Sequence, residues 1–276
     1  MKKRSLCSLL KEALGYAAMR ASANRDRVLQ QRLQHWMEPW NHRMKVRRKL
    51  GLKSAIIELA RGPIPTQFGG WTYIAFGDVV SGEHHTALVY GRADKLEDTN
   101  VMVRVHSACR SSEIFSAINC DCREQLMTAM EQIHREGSGV IIYLEQEGRG
   151  TGIVGKLAQL REMFAFDDAA NIFQKLDGSG FPIDTVRAYE RSGLPTECRD
   201  FSIAAEILQI LGVISVRLLT NNPRKIAALE EANIKVEPIE LHIPPTNDFV
   251  AGDLRAKADG LGHHILPEHY IRPSAD

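Results

Sequence analysis

From residue 139 onward the chain changes its apolar period four times in about a hundred residues, and that alternation restricts the fold more than any other feature. "GVIIYLE" (139–145) is a short unbroken apolar run opened by glycine, the pattern of a strand covered on both faces. "FSIAAEILQILGV" (201–213) spaces its apolar residues for a helix, "SVRLLT" (215–220) for a strand, "NNPRKIAALEEAN" (221–233) for a helix and "IKVEPIEL" (234–241) for a strand. Upstream, "GGWTYIAFGDVV" and "HTALVYGRAD" are β-branched and aromatic runs with a turn expected near "SGEH", and "VMVRVH" is a further strand. "REQLMTAMEQIHREG" puts Leu126, Met130 and Ile133 on one face and ends at Gly137, a helix stop. Strands alternating with helices predict an α/β fold, a mixed β-sheet flanked by helices.

The first fifty residues are different. They hold thirteen Lys and Arg against three acids, a net +10 in a chain that totals +1, so the remainder carries −9. Leu9, Leu10, Leu14, Ala17 and Ala18, then Val28, Leu29, Leu33 and Trp36, recur at helical spacing. We therefore expect a basic helical N-terminal extension over 1–60 ahead of a catalytic domain over 61–276. A basic arm suits nucleic acid or an acidic surface, but it lacks the ladder of aromatic and basic residues that single-strand binders use, which favours a solvated helical extension packing on its own domain or on a second subunit.

Composition excludes other classes. With 44% apolar and 25% charged residues the chain is neither disordered throughout nor collagenous, and no run approaches the roughly 18 apolar residues of a membrane span. Lys11 and Glu12 interrupt the apolar run of "MKKRSLCSLLKEALGYAAMR", against a secretory signal, while its basic, acid-poor character leaves an organellar targeting helix open. Five cysteines, an odd number, point to reduced thiols and a cytoplasmic setting.

Three of those five, Cys109, Cys120 and Cys122, fall within fourteen positions. On an extended segment Cys120 and Cys122 would face the same side and could reach one ion, with Cys109 as a third soft ligand, for which zinc is the ordinary metal. Three protein ligands leave a position for catalysis; His106 is a candidate fourth that would close the shell and make the site structural. The alternative is three buried thiols acting as small apolar groups.

Two segments suit anions. In "EQEGRGTGIVGKL", residues 150–156 fit the front of a P-loop, but Leu157 stands where a hydroxyl should hold magnesium, so only the looser expectation of a glycine-rich anion turn beside Arg149 survives. In "RLLTNNPRKI", Pro223 suits a first helical turn, Thr220 and Asn222 suit its cap, and Arg224 and Lys225 add positive charge.

In this order, "PIPTQFGGWTYIAF", "TALVYG", "VRVHSAC", "CDCREQL", "QEGRGTG", "DTV", "CRDFSIAAEILQILGV", "VRLLTNNPRK" and "KADGLGH" resemble the GTP cyclohydrolase II family, from about Pro63 to His263. The resemblance implies zinc on Cys109, Cys120 and Cys122, activating water for attack at C8 of GTP, imidazole ring opening and release of formate and pyrophosphate in riboflavin biosynthesis. It implies nucleotide contacts from Arg104, Val105, His106, Ser107 and Ala108, from Gln125, from Glu147, Gly148 and Arg149, and from Thr185, Thr220 and Lys225. Glu147 suits the guanine N1 and amino donors, and Arg149 and Lys225 with Mg2+ suit the triphosphate. The catalytic pair would be Glu197, as proton acceptor, and Arg199, at pyrophosphate departure. A guanidinium stays protonated, so stabilising departing charge suits Arg199 better than attack on phosphorus. A homodimer is the family's usual state.

Three positions depart from the family pattern. Ala108 replaces a glutamate before the first metal cysteine, Glu197 replaces an aspartate, and Leu160 replaces a tyrosine near the base. A diverged member could retain the formyl group or open a pyrimidine nucleotide. From a different class, a non-catalytic zinc protein that binds nucleotide or RNA would be marked by a metal shell closed by His106.

Overall fold

The computed structural model describes residues 55–91, 100–164 and 183–270. The helical extension expected over 1–60 lies outside them as far as residue 54, and the described chain enters directly into strand β1 (Ile56–Thr66), which crosses residue 61 without a break. β2 (Gly69–Asp78) and β3 (His84–Tyr90) follow as antiparallel neighbours. The turn between them falls where "SGEH" places it: the Asp78 carboxylate accepts from Val80 N at 2.9 Å, and Asp78 N donates to Glu83 O at 2.9 Å.

β4 (Val101–Ser107) leads through a single helical turn, α1 (Arg110–Glu113), into α2 (Cys122–Glu136). α2 stops at Gly137, whose left-handed backbone (φ 85°) lets its N–H reach back to Ile133 and His134. After β5 (Gly139–Leu144) come α3 (Gly152–Phe164), α4 (Thr185–Arg191), α5 (Ser202–Ile210), β6 (Ser215–Leu219), α6 (Pro223–Glu230), β7 (Lys235–Ile239) and α7 (Asp248–Leu261).

The seven strands form one mixed sheet in the order β1-β2-β3-β5-β4-β6-β7. β3 runs antiparallel to β5, whereas β5, β4, β6 and β7 are parallel. Alternate residues of the central strands serve two cores: Val101, Val103, Val105, Val140, Ile142 and Leu144 pack with Ile203, Ile207 and Leu208 of α5, while Met102 and Ile141 pack with Ala129, Met130 and Ile133 of α2. At roughly 1.5–3 kcal/mol for each large apolar side chain removed from water, these two layers fix the sheet between its helices. Central strands covered on both faces explain why "GVIIYLE" reads as a continuous apolar run.

The parallel register sets Ser107 of β4 beside Leu144 of β5, with Leu218 of β6 paired to Val103. The carboxyl ends of β4, β5 and β6 therefore open on one side of the sheet, the usual position for a site in parallel α/β architecture.

Candidate active site

The three cysteines arrive from different elements. Cys109 occupies the position before α1, just after β4, Cys120 lies in the following loop, and Cys122 is the first residue of α2. The expectation of an extended Cys120–Cys122 segment is corrected: Asp121 has φ −101° and ψ 15°, so the chain curls into the helix there, and that curl brings the sulfurs together. All three sulfurs lie within 4.8 Å of one another, with Cys109 Sγ and Cys120 Sγ 3.7 Å apart. Zinc–sulfur bonds of about 2.3 Å in a tetrahedron separate sulfurs by about 3.8 Å, so the trio fits such an ion. Hydrogen bonds from the Cys120 and Cys122 thiols hold the Cys109 thiol well below its ordinary value, so a thiolate is favoured within the trio.

His106 does not join them. Its Nε2 donates to Glu113 Oε1 at 2.8 Å, and Glu113 also accepts from Tyr143 Oη at 2.5 Å and from Cys109 N at 3.0 Å. Burial lowers the imidazole to about 4 despite that carboxylate, so it is neutral near pH 7, with the proton on Nε2. Among the described residues the metal-competent group consists of the three cysteines alone.

The sulfurs open into a cleft lined by six cationic side chains (Arg104, Arg149, Lys156, Arg199, Lys225, Lys257) and two carboxylates, Glu147 and Asp253. Such a balance suits a polyanion. Eight buried polar atoms without a hydrogen-bond partner belong to residues that line this one cleft: Arg104 Nε, His106 Nδ1, Ser107 Oγ, Gln146 Oε1, Arg149 Nη1, Gln159 Oε1, Asn222 Nδ2 and His263 Nε2. Buried polar groups are otherwise almost always paired, so this concentration marks where a polar ligand belongs.

Each wall has a local cause. At the end of β5, Glu147 accepts from Arg110 N at 2.6 Å and from Gly148 N at 3.0 Å, fixing the glycine-rich turn to the metal loop. Arg149 takes a left-handed backbone (φ 56°, ψ 33°), unusual outside glycine, and sends Nη2 to Thr185 Oγ1 at 2.7 Å with its guanidinium over the Tyr189 ring. Gly150, at φ 87°, allows the 197–199 segment to approach: a Cβ there would stand 2.7 Å from the Cys198 carbonyl carbon, and Cys198 N donates to Arg149 O at 2.9 Å. The P-loop likeness fails structurally too, because Gly155 and Lys156 lie inside α3 rather than in a loop before it.

At the end of β6, Asn222 caps α6 by accepting from Arg224 N at 2.9 Å, with Pro223 in the first turn, as its sequence predicts. Lys225 is then buried, donating to Val105 O at 2.7 Å. Burial, with Arg104 and Arg199 beside it, pushes its amine well below the usual lysine range. Arg104 spans from Leu219 O at 2.8 Å to the Gln125 amide oxygen.

Of the residues expected at the site, Arg104, His106, Ser107, Ala108, Gln125, Glu147, Gly148, Arg149, Thr185, Arg199, Thr220 and Lys225 line the cleft with the three cysteines. Val105 does not; its side chain lies in the core and only its carbonyl reaches Lys225. Glu197 stands behind Arg199, accepting from its Nε at 2.8 Å and also from Nη2, and Leu160 is likewise outside the lining, where Gln159 takes its place on α3. Lys156, Gln159, Tyr189, Asp253, Lys257 and His263 also line the cleft and had no role from sequence. For three of them a signal existed: Asn247 and Gly262 bracket α7 as N-cap and left-handed C-cap, Asp253 and Lys257 stand four apart within it, and His263 follows directly.

Comparison with known proteins agrees with this geometry. The profile described as GTP cyclohydrolase II matches residues 58–240. The chain is 41% identical over 201 residues to "Riboflavin biosynthesis protein RibBA" of Bacillus mycoides, covering 72% of this chain and 46% of that protein. It is 36% identical over 208 residues to the protein of the same name from a Synechocystis species, covering 75% and 34%. The chain thus spans half or less of the length of these curated relatives. A solved structure titled as RibBX, a two-domain 3,4-dihydroxy-2-butanone 4-phosphate synthase from A. baumannii, aligns over 73% of this chain and 44% of that one with TM-score 0.39 and 16% identity. With the family profile matching residues 58–240, about two thirds of its length, and the cysteine trio lining a cationic cleft, this chain belongs to the GTP cyclohydrolase II family.

Proposed function

We propose that the protein hydrolyses GTP at C8, opening the imidazole ring and releasing formate and pyrophosphate to leave a 2,5-diaminopyrimidinone ribosyl phosphate. The observation that carries this reading is three sulfurs at zinc-binding separation opening into a cleft with six cations. Zinc on Cys109, Cys120 and Cys122 supplies Lewis acidity that makes hydrolysis feasible near neutral pH. The protein's own groups bind and orient. Arg149 and Lys225, with Mg2+ arriving on the nucleotide, take the triphosphate. The Glu147 oxygens retain lone pairs beyond the two backbone N–H groups they accept, and these receive the guanine N1 and amino protons. Arg199, held rigid by Glu197, stabilises charge as pyrophosphate departs. Riboflavin biosynthesis and a homodimeric assembly complete the reading.

Because Glu113 engages His106 and the sulfur trio has no fourth protein ligand among the described residues, a non-catalytic zinc protein is disfavoured. The departures at Ala108, Glu197 and Leu160 favour no second substrate by themselves. The deciding experiment incubates zinc-loaded protein with GTP and Mg2+ and measures formate and pyrophosphate in the same sample. Equal amounts support the proposal. Pyrophosphate without formate indicates a retained formyl group, and inert GTP beside turnover of UTP, UMP or uridine overturns the guanine assignment.

A further inference from the structure

α7 lies beyond the span matched by the family profile, yet it reaches the metal loop. Lys257 Nζ sits 3.1 Å from Asp121 Oδ1 and 2.7 Å from Asp253 Oδ2, with side-chain exposures of 15%, 3% and 5% respectively. Asp121 is the residue between two of the three metal cysteines. Its other oxygen accepts from Gln125 Nε2 at 2.6 Å, and Gln125 in turn accepts from Arg104. Asp253 Oδ1 accepts from Thr185 Oγ1 at 3.1 Å, the hydroxyl that receives Arg149 Nη2. Among the described residues Lys257 is the one ion-pair partner of Asp121.

We infer that Lys257 is a positioning residue for the three-cysteine centre: by bridging Asp121 and Asp253 it fixes the turn carrying Cys120 and Cys122 against α7 and couples that turn to the Arg149 side of the cleft. Without the ammonium, Asp253 keeps Arg149 at 3.8 Å but Asp121 loses its ion-pair partner among the described residues, and the turn must move to rehydrate Asp121. Groups behind metal ligands set ligand orientation, and their loss commonly costs about 10–100-fold in metal affinity.

The inference rests on the metal site of the proposed function, so the test reads metal directly. Co2+ is titrated into metal-free wild type, K257M, K257R, D121N and D121N/K257M, following the sulfur-to-cobalt charge-transfer and d–d bands and competing with a chelator. We expect K257M to lose about 10–100-fold in Co2+ affinity with altered bands, and K257R to recover most of it. D121N should lose a similar factor, and the double variant should be no weaker than K257M, because both changes break one link. Wild-type affinity and spectrum in K257M overturn the inference, as do losses that multiply in the double variant. Where K257M does not fold, D121N decides, and unchanged Co2+ affinity there is the overturning result. Wild-type protein that takes up no Co2+ overturns the metal site itself, a failure distinct from the others.

Discussion

Glu197 and Arg199 form a largely buried two-pronged ion pair in which the Arg199 backbone N–H adds a third hydrogen bond, at 3.1 Å, to the same carboxylate. Of the two, Arg199 lines the cleft and Glu197 fixes its guanidinium from behind. Breaking one side leaves a buried charge unpaired, which costs about 3–5 kcal/mol, whereas replacing both partners by apolar groups of similar volume costs far less. Urea unfolding of E197A should therefore show a larger stability loss than E197L/R199M, even though the double variant has lost both side chains.

The same pair gives a pH dependence. Burial pushes the Glu197 carboxyl up, but the Arg199 charge and hydrogen bonds prevail and hold it below the ordinary glutamate value of 4.5. A depressed carboxyl contributes stability that is present above the unfolded value and is lost as pH falls toward the folded one. The stability gap between wild type and E197Q should be constant near neutrality and close below about pH 4.5. A gap that widens on acidification contradicts the pairing.

Arg149 holds a left-handed backbone at φ 56° in order to reach Thr185. That conformation costs a residue with a Cβ about 1–2 kcal/mol, and glycine much less. R149A and R149G lose the same side chain, so their difference isolates the backbone. R149G should be about 1 kcal/mol more stable than R149A by thermal or urea unfolding. Both should raise KM for the nucleoside triphosphate by about tenfold or more, the scale of one lost charge-assisted hydrogen bond.

What sequence made legible was local. β5 announces itself as an unbroken apolar run and α2, α5 and α6 by a period of 3.6, and residues such as Gly137, Asn222 and Pro223 mark where helices stop or start, so neighbours in the chain carry the signal. The cysteine trio was legible by spacing, although its geometry was not: the curl at Asp121, rather than an extended segment, joins the sulfurs. The links that assemble the cleft join distant residues. Thr185 meets Asp253 across 68 positions and Lys257 meets Asp121 across 136, and no periodicity records such a meeting. For the same reason Glu197 was readable as an acid beside Arg199 but not as its anchor, and Gln159 could not be told from Leu160 until α3 showed which one faces the cleft.

Gly155 offers a test in which the sign decides. It lies inside α3, where alanine is worth about 1 kcal/mol over glycine, so an unobstructed G155A would stabilise the protein. A Cβ there would instead stand 2.0 Å from Thr151 Oγ1 and 2.4 Å from Thr151 Cβ. Thr151 is buried, and its hydroxyl donates to Gly148 O at 2.6 Å, closing the turn from which Arg149 projects. Overpacking of this kind costs about 1–3 kcal/mol, more than the propensity gain, so G155A should be less stable than wild type. Displacing Thr151 also loosens the turn, so KM for the triphosphate should rise while Co2+ binding by the cysteine trio stays unchanged. A stabilised G155A with wild-type KM would mean that Thr151 yields freely and that the turn is held by Glu147 instead.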